Sequence, residues 1–326
     1  MSILHGTFAI AQWETVAPLP EGNGGFLAGC VGGKIIVAGG TNWSNDVKHW
    51  LDKVWIYDPA ANQWSAGPSL PHSLAYAAFA SDGTHLYFAG GADGKKARDE
   101  VYVLGTDLKL REIGRLPHPI AFASGAPHDG KFHVLGGTPD MDDWTKATAD
   151  SQVVSTQSGK ISTLSPLNAL GHGFGIPAVV TLDDKMFVFT GAWQATSNSE
   201  ALNIAEGFSY DFAKGQWHAI RSYPKAVRGL AAVALDEHRV YLAGGYGTDA
   251  EGFLSEAFIY HTDTDRYTPA PPIPSSNCTT LVQCGGWVYV LGGEDKKKHR
   301  TAQCFRVSVQ ALTSPYSPHP PGGSRR

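Results

Sequence analysis

Residues 35–64 read IIVAGGTNWSNDVKHWLDKVWIYDPAANQW, and this stretch decides the architecture. The apolar run Ile35–Ala38 is short and β-branched, which favours a buried strand over a helix. It ends at Gly39-Gly40 and gives way to a polar loop. A second, aromatic strand follows around Val54–Tyr57. Asp58-Pro59-Ala60-Ala61-Asn62 has the composition of a tight turn and leads to a strand at Trp64. Outward from this unit the glycine doublet recurs at Gly90-Gly91, Gly136-Gly137, Gly244-Gly245 and Gly292-Gly293, with Thr190-Gly191 as a degenerate copy. Successive copies are 51, 46, 54, 54 and 48 residues apart.

Each copy has one grammar. A small-residue strand leads, as in FLAGC, LAYAAFA and IPAVVTL. A Gly- or Asp-bearing turn, the doublet strand, an aromatic strand such as VWIY or FIYH, and a last strand marked by Trp64, Leu110, Ile161, Trp217 or Tyr267 complete it. Four strands in a period of about 50 residues resemble the kelch type of repeat, so the fold expected is all-β, a six-bladed propeller. The sixth copy stops after its third strand. Its missing strand stands at the other end of the chain, where Trp13 and a following Leu19-Pro20 repeat the Trp64…Leu70-Pro71 ending. A strand at about 12–16 is therefore expected to complete the last blade, within a single domain over 1–313. Residues 314–326, rich in Pro and Gly, are expected to be a disordered tail. The doublets themselves read as packing devices, because none opens a phosphate-binding loop before a helix.

Composition excludes several classes of function. The formal charge of −4 does not suit a nucleic-acid or membrane-surface partner. No run of about 18 apolar residues is present to span a bilayer. The start MSILHGTFAIAQW does not read as a secretory leader, so the expected compartment is cytoplasmic, or periplasmic had a leader been removed. Four cysteines are few for a disulfide framework. Cys278 and Cys284 on one strand would lie roughly 20 Å apart and cannot bridge each other. All four are expected to be reduced, packed small hydrophobes.

The turn between the first two strands of each repeat is short, whereas the second-to-third and fourth-to-first connections are long. These long connections share one end of every antiparallel blade, so the elaboration gathers at one mouth. Glu294 and Arg300 belong there, in EDKKKHR; so do Asn42 and Trp43 in TNWSNDVKHWLD, and Trp193 in the fourth blade. Tyr76 and Arg228 stand where connections enter the innermost strands and are expected to face the axis. An arginine facing a channel requires an anion. Arg98, the counterpart of Arg300 in the second blade, reads as a loop-holding residue, and His172 as structural. No metal-ligand spacing or nucleophile elbow is present in the sequence.

The stretch Gly293-Glu294-Asp295-Lys296-Lys297-Lys298-His299-Arg300-Thr301 resembles the "GE, five residues, RT" segment of bacterial N-acetylneuraminate epimerases, the sialic acid mutarotases. In that family the blade after this segment carries an AGG doublet and an enlarged loop. Here Ala38-Gly39-Gly40 with its loop lies in the first blade and GE…R in the last, which are neighbours on a closed ring. The order resembles the cyclically permuted branch. The resemblance implies an isomerase that interconverts the α and β anomers of a sugar acid. It implies Glu294 and Arg300 as catalytic; Arg228, Asn42, Trp43, Tyr76 and Trp193, read at the same mouth, are the candidate substrate contacts. Ring opening and reclosure need an acid and a base but no cofactor, metal or covalent intermediate. The alternative from another class is a non-catalytic kelch module for a protein partner, which would present an apolar surface patch and no deep pocket.

Overall fold

The small-residue strands at the head of each repeat pack side by side around a central axis. In this computed structural model, which describes residues 12–314 and Tyr316, they are Leu27–Val31, Ala78–Ser81, Ser124–His128, Ala178–Leu182, Ala231–Ala234 and Cys278–Cys284. Each contacts the next, and the last contacts the first. Every one is the inner edge of a four-stranded antiparallel sheet, so the fold is a six-bladed β-propeller. Blade 1 runs outward through Lys34–Ala38 and Val54–Asp58 to Gln63–Ala66.

Ring closure follows the expected route. Glu14–Val16 pairs with His299–Ser308 as the outer strand of blade 6, in the register Glu14 to Arg306, Thr15 to Phe305 and Val16 to Cys304. Closure leaves no inner or middle strand unpaired. The expected tail, apart from Ser314 and Tyr316, lies outside the described residues.

Six large core clusters lie one at each blade junction, which explains why middle strands are apolar on both faces; a smaller seventh gathers Ala92, Ala97 and Ala121. Ile35 and Val37 pack toward blade 6 with Tyr289 and Leu291. Ile36 and Ala38 pack toward blade 2 with Phe88 and Leu86. The outermost strands face solvent, and their burial is correspondingly slight at Gln63–Ala66.

The doublet is a latch between blades. Gly39 and Gly40 both have positive φ, 62° and 104°. A Cβ on Gly39 would collide with the carbonyl oxygen of Leu74, the same oxygen that accepts from the Gly40 N–H at 2.8 Å. The bond recurs from Gly91 to Ile120, Gly137 to Phe174, Gly245 to Asn277 and Gly293 to Asn23, at 2.7–2.9 Å. In the degenerate copy Thr190 adopts φ 56°, and the bond from Gly191 to Val227 lengthens to 3.4 Å.

One expectation is overturned. Cys30 and Cys284 form a disulfide, with Cα atoms 5.5 Å apart and 254 residues between them in sequence. The bond joins the inner strands of blades 1 and 6. Ring closure sets the two ends of the chain side by side, which spacing along the sequence does not convey. Cys278 and Cys304 are free, as expected for all four.

His133, in the Lys131–Leu135 strand, is 1% exposed, and neither ring nitrogen has a hydrogen-bond partner among the described residues. Burial first, then the charges of His128 and Lys131, push its pKa down from 6.5 to about 4. The unfolded chain therefore binds a proton before the folded one does. This contribution to stability is intact above pH 6.5 and is lost as pH falls toward 4, about 3 kcal/mol in all. Urea unfolding at pH 7 and pH 4.5 should show the loss, and His133→Leu should reduce the difference between the two pH values.

Candidate functional site

Two of the long connections are paired ribbons rather than irregular loops. In blade 1, Thr41–Ser44 pairs with Val47–Trp50 around Asn45-Asp46, both at positive φ, as a two-residue type I′ hairpin demands. In blade 6, Trp287–Lys296 runs past the doublet and pairs with His299–Ser308, with an irregularity in register between Gly293 and Lys296 that contains Glu294. The two ribbons meet over the junction of blades 6 and 1. Lys298 pairs with Asp46 at 3.1 Å, and its ammonium lies 5.8 Å from the Trp43 ring centroid.

Beneath that clasp, Arg300 is nearly buried, at 7% exposure. Its Nη1 meets Glu294 Oε1 at 2.7 Å and also donates to the His299 carbonyl. Nε donates to Thr41 Oγ1 at 3.3 Å, and Nη2 donates to Tyr76 Oη at 3.4 Å. Burial disfavours the guanidinium charge, but Tyr76 and Glu294 outweigh it and raise the Arg300 pKa further. Room for this side chain comes from EGNGG, residues 21–25. A Cβ on Gly24 would stand 2.5 Å from Arg300 Cδ, and one on Gly25 would strike the Tyr76 ring. That glycine cluster is a sequence signal for the site that the motif reading did not use.

Tyr76 enters its inner strand at φ 57°, a strained value for an aromatic residue. Its N–H donates to Gly25 O and its carbonyl accepts from Phe122 N–H, both at 2.8 Å; Ile176 N–H bonds Phe122 O in turn. Gly25, Phe122, Ile176 and Gly229 share the left-handed conformation at equivalent points of other blades. A backbone belt thus rims the channel and holds these side chains on its wall. Lys48, from the blade 1 hairpin, lies 4.7 Å from the centroids of both Trp50 and Tyr76. Burial raises the phenol's pKa, but Lys48 and then Arg300 outweigh it, leaving Tyr76 below the ordinary tyrosine value.

These residues open onto an axial cavity of about 870 Å³. Its mouth carries Glu294, Arg300, Tyr76, Arg228, Lys48 and Lys297; its depth is walled by small and apolar residues of the inner strands, such as Ala123, Val179 and Leu281. Four cations face two carboxylates, Glu294 and Asp249. Arg228 stacks over Tyr246 with its guanidinium carbon 4.5 Å from the ring centroid and donates to Asn203 Oδ1 at 3.0 Å. It has no carboxylate partner among the described residues. Cys278 also lines the cavity, and burial, reinforced by Glu294, pushes its thiol up to about 12, so it is no nucleophile near neutral pH.

Of the residues singled out from sequence, Glu294, Arg300, Tyr76 and Arg228 meet at the cavity. Asn42, Trp43 and Trp193 do not line it. Asn42 Oδ1 accepts from the Trp43 N–H, and Trp43 packs under Lys298. Trp193 stacks flat on His172, with centroids 3.9 Å apart. These aromatics hold loops together instead of offering a face to a ligand. Arg98 ion-pairs with Asp93 and Glu100 inside its own blade, as a loop-holding residue should. Lys48, Phe122 and Tyr246 were not singled out; nothing in their local sequence tells which way a hairpin or rim residue turns.

Comparison with known proteins gives a match to the Kelch motif over residues 23–71, which is blade 1 with its flanking connections. The chain is 24% identical over 242 residues to beta-scruin of Limulus polyphemus, covering 72% of this chain and 25% of that protein. It is 25% identical over 259 residues to Kelch-like protein terF of Aspergillus terreus, covering 75% of this chain and 56% of that one. A 127-residue segment is 33% identical to N-acetylneuraminate epimerase of Brucella suis, 32% of each chain. The chain thus spans little more than half of these relatives at most, and the matched epimerase segment is a third of that enzyme. The chain carries the kelch motif on a six-bladed, ring-closed β-propeller.

Proposed function

We propose that the protein is a mutarotase for a sugar acid of the N-acetylneuraminate type. The observation that carries this reading is the Glu294–Arg300 pair on the wall of a cavity with an excess of positive charge. The partial likeness to N-acetylneuraminate epimerase supports it. Arg228, free of a carboxylate partner among the described residues and reinforced by the Tyr246 face, binds the substrate carboxylate. The Glu294 carboxylate, held through Oε1 by Arg300, takes the proton of the anomeric hydroxyl as the ring opens, and returns it when the ring recloses on the other face of the carbonyl. Arg300 stabilises the charge that develops on oxygen. The aliphatic wall below accommodates the acyl substituent of the sugar.

Magnetisation-exchange NMR of N-acetylneuraminate should show anomer interconversion accelerated by the purified protein. Glu294→Gln should lower that acceleration by about 10³-fold; full activity in this variant would sink the assignment. The rival reading, a module that binds a protein partner, draws on the longer likenesses, at lower identity, to beta-scruin and terF. It expects a flat apolar mouth, whereas the mouth here is charged and opens into a deep cavity. We also propose an oxidising compartment, such as a bacterial periplasm, because the Cys30–Cys284 bond would be kept reduced in a cytosol.

A further inference from the structure

Opening a pyranose ring needs two proton transfers: one group accepts from the anomeric hydroxyl, and another donates to the ring oxygen. Glu294 supplies the first. The second must reach the same substrate atom cluster from a different side, and the rim of the channel narrows the choice.

Five rim positions share the left-handed backbone conformation: Gly25, Tyr76, Phe122, Ile176 and Gly229. Belt geometry places all five on the cavity wall. Only Tyr76 carries a transferable proton. Arg300 links its oxygen to Glu294, with Nη1 on the carboxylate and Nη2 on the phenol. The two proton-carrying groups therefore flank one guanidinium. Thr41 Oγ1 lies 3.3 Å from the phenol oxygen, and the Trp50 ring meets the Tyr76 ring edge-on at 5.7 Å, so the side chain is fixed in position. We infer that Tyr76 is the second catalytic residue, the acid that protonates the ring oxygen; this rests on the mutarotase reading above.

The step balances. Glu294 accepts the anomeric O–H proton, that bond's electron pair forms the carbonyl, and the ring C–O bond breaks. The ring oxygen takes the Tyr76 proton and becomes a hydroxyl. The phenolate that remains faces two cations, Arg300 and Lys48, and no carboxylate hydrogen-bonds to it among the described residues. After rotation about the adjacent carbon–carbon bond, the hydroxyl attacks the other carbonyl face. Tyr76 then takes its proton back, and Glu294 returns its own. The charges that face the phenol come from two elements, Lys48 on the blade 1 hairpin and Arg300 with Glu294 on the blade 6 ribbon; Phe122, packed against it from the neighbouring blade, brings none. The two cations hold the phenol below its ordinary pKa against the effect of burial, which suits a group that must alternate between forms.

The test compares wild type, Tyr76→Phe and Lys48→Met for anomer exchange of N-acetylneuraminate across pH 5–11, with binding followed by titration calorimetry. Tyr76→Phe keeps the ring and removes only the proton. It should bind normally and lose about 10²–10³-fold in exchange rate. The wild-type rate should fall on an alkaline limb below pH 10, and this limb should be absent from the residual activity of Tyr76→Phe. Near-wild-type exchange in Tyr76→Phe, with wild type active, overturns this inference and leaves the mutarotase reading standing. No exchange by wild type overturns both. Should Tyr76→Phe fail to fold, Lys48→Met decides: an alkaline limb moved to higher pH supports the assignment, and an unmoved limb overturns it.

Discussion

Arg300→Met should lower anomer exchange by about 10³-fold or more while leaving the propeller folded. The expected loss has two parts. In the proposed mechanism Arg300 stabilises the oxygen on which charge develops, and deleting one such donor costs about 10²–10³ in rate. It also fixes Glu294 through one nitrogen and Tyr76 through another, so its removal releases both partners. Misplacing a reacting group by about 1 Å can cost a further 10². The fold should survive because Glu294 keeps a third of its side chain exposed, so water can solvate the abandoned carboxylate. Methionine also fills the slot that Gly24 leaves open. Arg300→Lys should recover little, since one ammonium cannot span two partners as the planar fork does. Steady-state exchange rates with circular dichroism and thermal unfolding of each variant check the result. A folded Arg300→Met protein with near-wild-type exchange would remove Arg300 from the mechanism.

The second large effect is expected on stability. Replacing Cys30 and Cys284 together with alanine should destabilise the protein by about 2–5 kcal/mol. The bond closes a loop of 254 residues, near the upper end of what a single crosslink can gain by restricting the unfolded chain. It also sits at the one junction made by both ends of the chain. There, beside the core cluster and latch already described, the closing segment is a three-residue strand, Glu14–Val16, with the Trp13 indole donating to Pro272 O at 2.8 Å and Leu19 N–H to Ala302 O at 2.8 Å. Without the staple, unfolding should begin by release of that strand. Denaturant midpoints of the oxidised, the dithiothreitol-reduced and the double-alanine proteins should separate the first from the other two. Hydrogen exchange should show the loss of protection first along His299–Ser308, the partner of the closing strand. Equal midpoints would mean that strand pairing alone holds the ring.

The blade plan was legible because its causes are local. Ile35–Ala38 and Val54–Tyr57 state strand, turn and partner within 25 residues, and the same grammar recurs at each doublet. Even ring closure could be read, since a lone Trp13 strand with its Leu19-Pro20 ending matches the piece that the sixth copy lacks. The Glu294–Arg300 segment was legible as a stretch at the mouth, though not which side chains would stand beside it.

What the sequence by itself determined is the repeat, the number of blades, the strand that closes them and the mouth on which long connections gather. Only the tertiary structure decided which side chains share the cavity. Trp43 and Trp193 turned to pack loops, while Lys48 reached Tyr76 and Arg228 reached Tyr246. It also decided that Cys30 meets Cys284. The physical reason is common to all of these: strand and turn follow from the backbone preferences of neighbouring residues, whereas a contact between side chains of separate loops or blades exists only once the ring has formed.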